Sequence, residues 1–334
     1  METVRTSLRS ILFGLIVGLG CIGGLAVLAD DSVASLGAGG IVLQKTDEIA
    51  ILSEDLFVGT DVVRVRFAFR NETPLLIETL VAFALPDIDF EDYSKHADLI
   101  AAPADTLNFI GFSVVIDGRA LTPKVDARAL LAGRDVTELV RGFAVPVSFF
   151  HPDFQPTLKA LSVPARQGMI ARGLLVADTL GEMLEPNWTL CVRFYWHQRF
   201  PPERTVTVDH SYKPIVGIDP NFSPGHLQQE DRERYCIDHP VQGKLARLAE
   251  KSRHDAATAR RLDYLLTSGG NWRGGEVGTF RLAVDTAAPQ TVLASCFEGL
   301  SRTGPTTYEA SRENFVPRRD LHFLFVEEQP RAAE

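Results

Sequence analysis

The chain has 334 residues, of which 45% are hydrophobic and 23% are charged, and its formal net charge is −9. This composition excludes a disordered protein, a collagen-like chain and a membrane protein with several spans, and the length indicates about two domains. The acidic balance and the lack of a long basic run argue against nucleic acid as a partner.

The first element is a secretory signal, which we predict over residues 1–29. Arg5 and Arg9 precede an uncharged, mostly apolar run over 11–29, and Val27-Leu28-Ala29 supplies the small residues that precede a cleavage point. We therefore expect a periplasmic or secreted protein that is cleaved near Ala29. Two alternatives stay open, because the run is also long enough for an uncleaved membrane anchor and Cys21 offers a site for lipidation.

Alternating strands follow the signal. Residues 62–70 place arginines and Ala68 on one face and apolar side chains on the other, namely Val63, Val65, Phe67 and Phe69. This period of two is typical of a half-buried antiparallel strand. A second strand is predicted over 75–85, and the turn before it indicates a hairpin with the first. Asp117-Gly118 predicts another tight hairpin.

The same alternation continues over 190–197 and 206–212, with a Pro201-Pro202 turn between the two strands. His210 shares its face with Val208 and Tyr212, so we predict a buried histidine and no zinc ligand there, since zinc ligands usually cluster at short spacings. Further strands are predicted over 280–285, 291–295, 308–310 and 321–326.

Helices are few. Short ones are predicted over 135–141 and 157–161, and an apolar stripe predicts one substantial helix over 243–267, which Gly269-Gly270 would end. Together the elements predict a mainly β fold, of antiparallel β-sandwich type, with one substantial helix in the C-terminal part.

The loop over 219–225 suggests a division of the chain. It would separate an N-terminal β-sandwich region, residues 30–218, from a C-terminal unit, residues 226–328, that holds the helix and the last strands. A single continuous body, with the helix laid across one sheet, is the alternative.

Three cysteines remain after residue 29, and an oxidising compartment allows them one bridge. Cys236 precedes the predicted helix and Cys296 ends a strand, whereas Cys191 lies within a strand, where a small buried thiol fits. We predict a Cys236–Cys296 disulfide.

Several segments spread over the chain after residue 29 are distinctive in combination. They include Val63-Arg64-Val65-Arg66-Phe67, His210-Ser211-Tyr212-Lys213-Pro214, Tyr235-Cys236-Ile237-Asp238 and Gly304-Pro305-Thr306-Thr307-Tyr308-Glu309. Together they resemble a secreted bacterial family, domain of unknown function 4424. The resemblance implies a periplasmic or exported protein, and it supplies no activity, substrate or catalytic residue.

The densest acidic segment carries Asp87, Asp89 and Glu91 at alternate positions. Carboxylates so arranged in a loop are candidate ligands for Ca²⁺. The glycine that a calcium-binding turn of the EF-hand type needs is absent, so we expect a solvated loop and predict neither a metal nor a cofactor.

The loop over 269–275 is the most unusual, because glycines flank Asn271, Trp272 and Arg273. These three residues are candidates for the rim of a ligand site, with the indole as a platform and the guanidinium reaching an anion. The alternative is that Trp272 fills the core of the sheet.

These features predict an exported cell-envelope module that binds or has a structural role, with no evident catalysis. Its partner would be an envelope protein or a small ligand, and it would meet the membrane only through an uncleaved N-terminal segment. The alternative is a periplasmic hydrolase whose carboxylates meet only in the fold. A pocket with convergent acids or a histidine–carboxylate pair would favour the hydrolase.

Overall fold

The computed structural model describes residues 31–37, 40–90, 107–177, 184–251 and 257–328. The predicted signal segment, residues 1–29, lies outside these ranges. Strands predominate within them, which confirms the mainly β fold class. No helix in the described ranges is long and apolar enough to cross a membrane.

The strands, in chain order, are β1 (Asp31–Gly37), β2 (Gly40–Gln44), β3 (Ile49–Val58), β4 (Val63–Asn71), β5 (Ile77–Ala84), β6 (Ser113–Ile116), β7 (Arg119–Leu121), β8 (Lys124–Leu131), β9 (Arg134–Asp135), β10 (Leu175–Ala177), β11 (Leu184–Pro186), β12 (Thr189–Phe200), β13 (Thr205–Tyr212), β14 (Gly217–Phe222), β15 (Ala257–Tyr264), β16 (Val277–Asp285), β17 (Val292–Ser295), β18 (Ser301–Arg302), β19 (Thr307–Phe315) and β20 (Leu321–Glu328). The α-helices are α1 (Thr137–Gly142), α2 (Phe154–Ala160), α3 (Val163–Ala171), α4 (Gln229–Arg234) and α5 (His239–Lys251). Short 3₁₀ helices span Pro224–His226, Thr267–Asn271 and Arg273–Gly275.

Two large sheets form the sandwich. The eight-stranded sheet has the order β18-β19-β16-β3-β4-β13-β6-β7, and the six-stranded sheet has the order β2-β1-β5-β12-β8-β9. Their inner faces meet through aromatic rings, such as those of Phe83 on β5 and Tyr212 on β13, whose centroids are 5.4 Å apart. The predicted alternation on β4 is confirmed, since its four apolar side chains are buried. Burial of such rings supplies the main driving force for folding.

The hairpin predicted for the strands at 62–70 and 75–85 does not form. The strands at 62–70 and 75–85 become β4 and β5, which lie in different sheets, and β12 and β13 are divided in the same way. Both turns instead carry the chain from one layer to the other. Asn71 fixes this crossing, because its Nδ2 donates to the carbonyls of Leu75 and Phe200. An alternating pattern determines which face is buried, whereas the partner strand depends on tertiary contacts.

The hairpin at Asp117-Gly118 is confirmed. It joins β6 to β7, and both turn residues have positive φ, at 47° and 77°. A two-residue turn of this kind matches the twist of the strands that it connects.

The predicted helix over 243–267 is wrong in its second half. Helix α5 begins earlier, at His239, and ends at Lys251, whereas residues 257–264 form β15 between β14 and β20. Ala259 and Leu262 have helical spacing, but in the strand they are buried on opposite faces, in two different clusters. A strand that is buried on both faces loses the simple period of two, so its apolar residues imitate a helical stripe.

A four-stranded sheet, β14-β15-β20-β17, carries α5 on its outer face and packs its inner face on the sandwich core. Strand β16 pairs in parallel with β3, so residues from the predicted C-terminal unit, 226–328, also complete the eight-stranded sheet. The division into units 30–218 and 226–328 stays a prediction.

Candidate functional site

A cleft of about 330 Å³ opens where the four-stranded sheet meets the loop that follows β5. One part of its wall is apolar and includes Leu85, Ile88, Ile110, Tyr212 and Ile215. The other part carries charge, on Asp87, Asp89, Asp231, Arg234, Arg261 and Asp263. An apolar wall with a few convergent polar groups is the usual composition of a small-molecule site.

Asp263 is the centre of the charged part. It lies on β15 directly opposite His322 on β20, and its Oδ1 is 2.7 Å from His322 Nδ1. Its Oδ2 accepts a 2.6 Å hydrogen bond from Arg234 Nη2. Burial opposes ionisation of this carboxyl, but the hydrogen bond with His322 and the charge of Arg234 outweigh burial and lower the pKa of Asp263. The group is therefore a carboxylate held between two basic side chains.

The Cys236–Cys296 disulfide holds this arrangement in place, and the predicted pairing is confirmed. The bond joins the residues that follow α4 and β17, with a Cα–Cα distance of 5.0 Å. Arg234 is the last residue of α4 and lies two residues before Cys236, so the disulfide ties the end of this helix to the end of β17. Cys191, the free cysteine of the described ranges, is buried as expected.

In the loop that follows β5, Asp87 is half-buried, and burial raises the pKa of its carboxyl. Its Oδ1 is buried without a hydrogen-bond partner in the described ranges. Asp89 is exposed, and its Oδ1 accepts a hydrogen bond from Thr189 Oγ1. Of the calcium candidates, Glu91 lies outside the described residues, and the part of the chain that is described holds no cluster of three metal-binding side chains. The solvated loop therefore stays a prediction, and calcium stays its alternative.

The rim candidates lie elsewhere, and none of the three lines the cleft. Trp272 is buried, and its ring centroid is 4.5 Å from that of Phe69. Asn271 is also buried, and Arg273 forms an ion pair with Glu72 at the surface. Trp272 thus lies in the core, as the alternative stated. A ligand role for this loop stays a prediction.

Residues 29–324 match the family model described as domain of unknown function (DUF4424). The chain belongs to the DUF4424 family. The matched range contains all the segments named above as resembling this family. A comparison of the DUF4424 chain with curated proteins finds no match.

Among solved structures, the DUF4424 chain is similar to a "putative nutrient binding protein" from Legionella pneumophila subsp. pneumophila. The identity is 15% and the TM-score is 0.40, over 89% of this chain and 72% of that chain. It is also similar to a variant of a two-domain M1 zinc metallopeptidase bound to L-arginine. There the identity is 9% and the TM-score is 0.25, over 87% of this chain and 45% of that one. Scores this low carry no argument about function.

Sequence reasoning missed the central residues of this DUF4424 site. Arg234, Asp263 and His322 are far apart in sequence, and Asp263 lies in the segment predicted as helix. One signal was present, because His322 is the single polar residue in the apolar run 321–326. A lone polar residue in a buried strand needs a partner, and here the partner is Asp263.

Proposed function

We propose that the protein is an exported binding module of the cell envelope and that the cleft beside Asp263 holds a small organic ligand. The signal-like segment 1–29 supports export, and the disulfide supports an oxidising compartment. Both features fit a periplasmic or secreted protein.

The observation that carries the ligand proposal is the lining of the cleft, which combines apolar side chains with charged ones. Arg261 is the cation more available to a ligand. It forms a long ion pair with Asp219 Oδ2, at 3.8 Å, whereas Arg234 is hydrogen-bonded to Asp263. Asp87, in the loop after β5, has a buried Oδ1 that accepts no hydrogen bond from the described residues. The ligand class that fits is a small carboxylic acid with an apolar body and a hydrogen-bond donor.

The test is a thermal-shift screen of the purified protein against amino acids and small aliphatic and aromatic carboxylic acids. Arg261→Gln should remove the response to the compounds that stabilise the wild type. Arg119→Gln, on the exposed strand β7, is the matched control because it removes the same charge away from the cleft. A panel without any stabilising compound, or an equal response in Arg261→Gln, would contradict the proposal.

A second candidate is hydrolysis, and the Asp263–His322 pair favours it. A carboxylate that accepts from Nδ1 of histidine orients the ring, so the other ring nitrogen can take a proton from water. The resulting hydroxide would attack an ester carbonyl, and the proton would pass to the departing alcohol. Release of p-nitrophenol from p-nitrophenyl acetate tests this activity. A rate that His322→Asn leaves unchanged would exclude the pair as its source.

A further inference from the structure

A second cavity, of about 400 Å³, adjoins the other end of the same residue pair. Asp263 lines the cleft, whereas His322 lines this cavity. We call it the arginine pocket, after the three arginines in its wall, Arg312, Arg318 and Arg319. Its volume lies within the range of small-molecule sites.

The charge of Arg312 is held in place without being neutralised. Its Nη1 donates to the carbonyl of Ser311, its Nη2 donates to the carbonyl of Glu298, and the guanidinium lies 5.6 Å from the ring centroid of Phe297. All three partners are uncharged groups, so the positive charge remains available to an anion. The contacts also limit the number of positions that the side chain can take.

Arg318 and Arg319 are exposed, and neither forms a hydrogen bond or ion pair with the described part of the chain. The backbone beside them is nevertheless anchored through Asp320. One oxygen of Asp320 accepts hydrogen bonds from the backbone N–H groups of Leu266 and Thr267 and from the Thr267 hydroxyl. The two guanidinium groups therefore extend from a fixed segment. Because the backbone is already ordered there, binding needs to order only the two side chains.

We propose that the arginine pocket is a second binding site, specific for a small oxyanion that carries two or more negative charges. Guanidinium groups match the oxygens of phosphate and carboxylate through paired N–H donors. The wall of the pocket contains three arginines and two acidic residues, Glu298 and Asp320. The Asp320 carboxylate is already hydrogen-bonded to the 266–267 backbone. His322, held by Asp263 through Nδ1, adds a further ring nitrogen to the same wall.

A phosphate group and a compact polycarboxylate both present a cluster of anionic oxygens, which guanidinium groups bind. Calorimetric titration of the full chain with inorganic phosphate, glycerol 3-phosphate, citrate and acetate separates the sources. We expect binding of at least one of the multivalent anions and none of acetate. The proposal is independent of the cleft, so Arg261→Gln should leave this binding unchanged.

The decisive variant is Arg318→Gln/Arg319→Gln, compared with Arg119→Gln/Arg134→Gln as a control. The control removes the same charge from two exposed arginines on β7 and β9. We expect the first pair to weaken binding by at least about tenfold and the control to leave it within about twofold. An equal loss of affinity in both double variants would mean that only net charge matters, and it would overturn the proposal. Unchanged affinity in the first pair, or no binding of any anion at about 10 mM, would overturn it as well.

Discussion

Glu54 and Tyr264 meet inside the core, where the Tyr264 hydroxyl donates to Glu54 Oε1 at 3.4 Å. Both side chains are almost completely shielded from solvent, and Glu54 Oε2 has no hydrogen-bond partner within the described ranges. Burial raises the pKa of Glu54 from 4.5 to about 8, which outweighs the opposing effect of the Tyr264 hydrogen bond. The contact joins β3 of the eight-stranded sheet to β15 of the four-stranded sheet.

This relationship predicts a loss of stability with rising pH. Between the unfolded pKa of 4.5 and the folded pKa of about 8, the folded state holds a proton that the unfolded state has released. The contribution of Glu54 to stability is therefore fully present below the lower value and is lost as pH rises through the upper one. Glu54→Gln should remove this dependence and be more stable than the wild type by at least about 1 kcal/mol near pH 8. Urea unfolding between about pH 5 and about pH 9 measures the unfolding free energy of both proteins. The same pH dependence in Glu54→Gln and the wild type would contradict this prediction.

The disulfide is expected to carry a large share of the stability. Cys236 and Cys296 are 60 residues apart, and closing a loop of this length in the unfolded chain contributes about 4 kcal/mol in the chain-entropy description. The Cys236→Ser/Cys296→Ser variant should lose about that amount in chemical unfolding. Cys191→Ala is the control. Reductant should destabilise this variant, which keeps the disulfide, and should not affect the stability of the double variant, which lacks it.

Substitution of Trp272 tests whether its side chain packs in the core or forms the rim of a ligand site. The ring is buried against Phe69 and Phe200, so Trp272→Ala should cost about 3–5 kcal/mol of unfolding free energy. Arg273→Gln breaks a surface ion pair with Glu72 and should cost less than about 1 kcal/mol. Thermal unfolding of the two variants gives the comparison. A Trp272→Ala protein as stable as the wild type would exclude the core role.

At position 278, β16 lies so close to β3 that there is no room for a side chain. A Cβ at this position would lie 2.5 Å from the carbonyl oxygen of Leu52, close to the irregularity between Ile51 and Ser53. Gly278→Ala should therefore destabilise the fold by about 1–3 kcal/mol, because backbone must move. Gly142→Ala, at the end of α1 with no atom within 4 Å, is the matched control and should be neutral or slightly stabilising. Equal melting temperatures for the two variants would contradict the packing argument.

Local features of this fold were predictable from the sequence. The burial of Val63, Val65 and His210 follows from alternation, because successive side chains in a strand point to opposite faces. The Asp117-Gly118 hairpin follows from turn chemistry, and the Cys236–Cys296 pairing from cysteine number and context. Each of these inferences needs only neighbouring residues or a count.

Features that depend on distant contacts were not predictable. One of the two partners of β4 is β13, which comes more than a hundred residues later, and nothing local distinguishes it from β5. Strand β15 was predicted as helix because it is buried on both faces. The site itself combines Arg234, Asp263 and His322 from three elements, so no spacing in the sequence records it.

Mapping of backbone amide NMR shifts is the most direct test of whether the cleft beside Asp263 binds a small carboxylic acid. The isotope-labelled protein is titrated with the amino acids and carboxylic acids of the screen, pooled and then singly. We expect saturable shifts grouped around four residues that border the cleft, Ile88, Ile110, Tyr235 and Arg261. Shifts confined to other surfaces, or no saturable shift with any compound, would contradict the proposal.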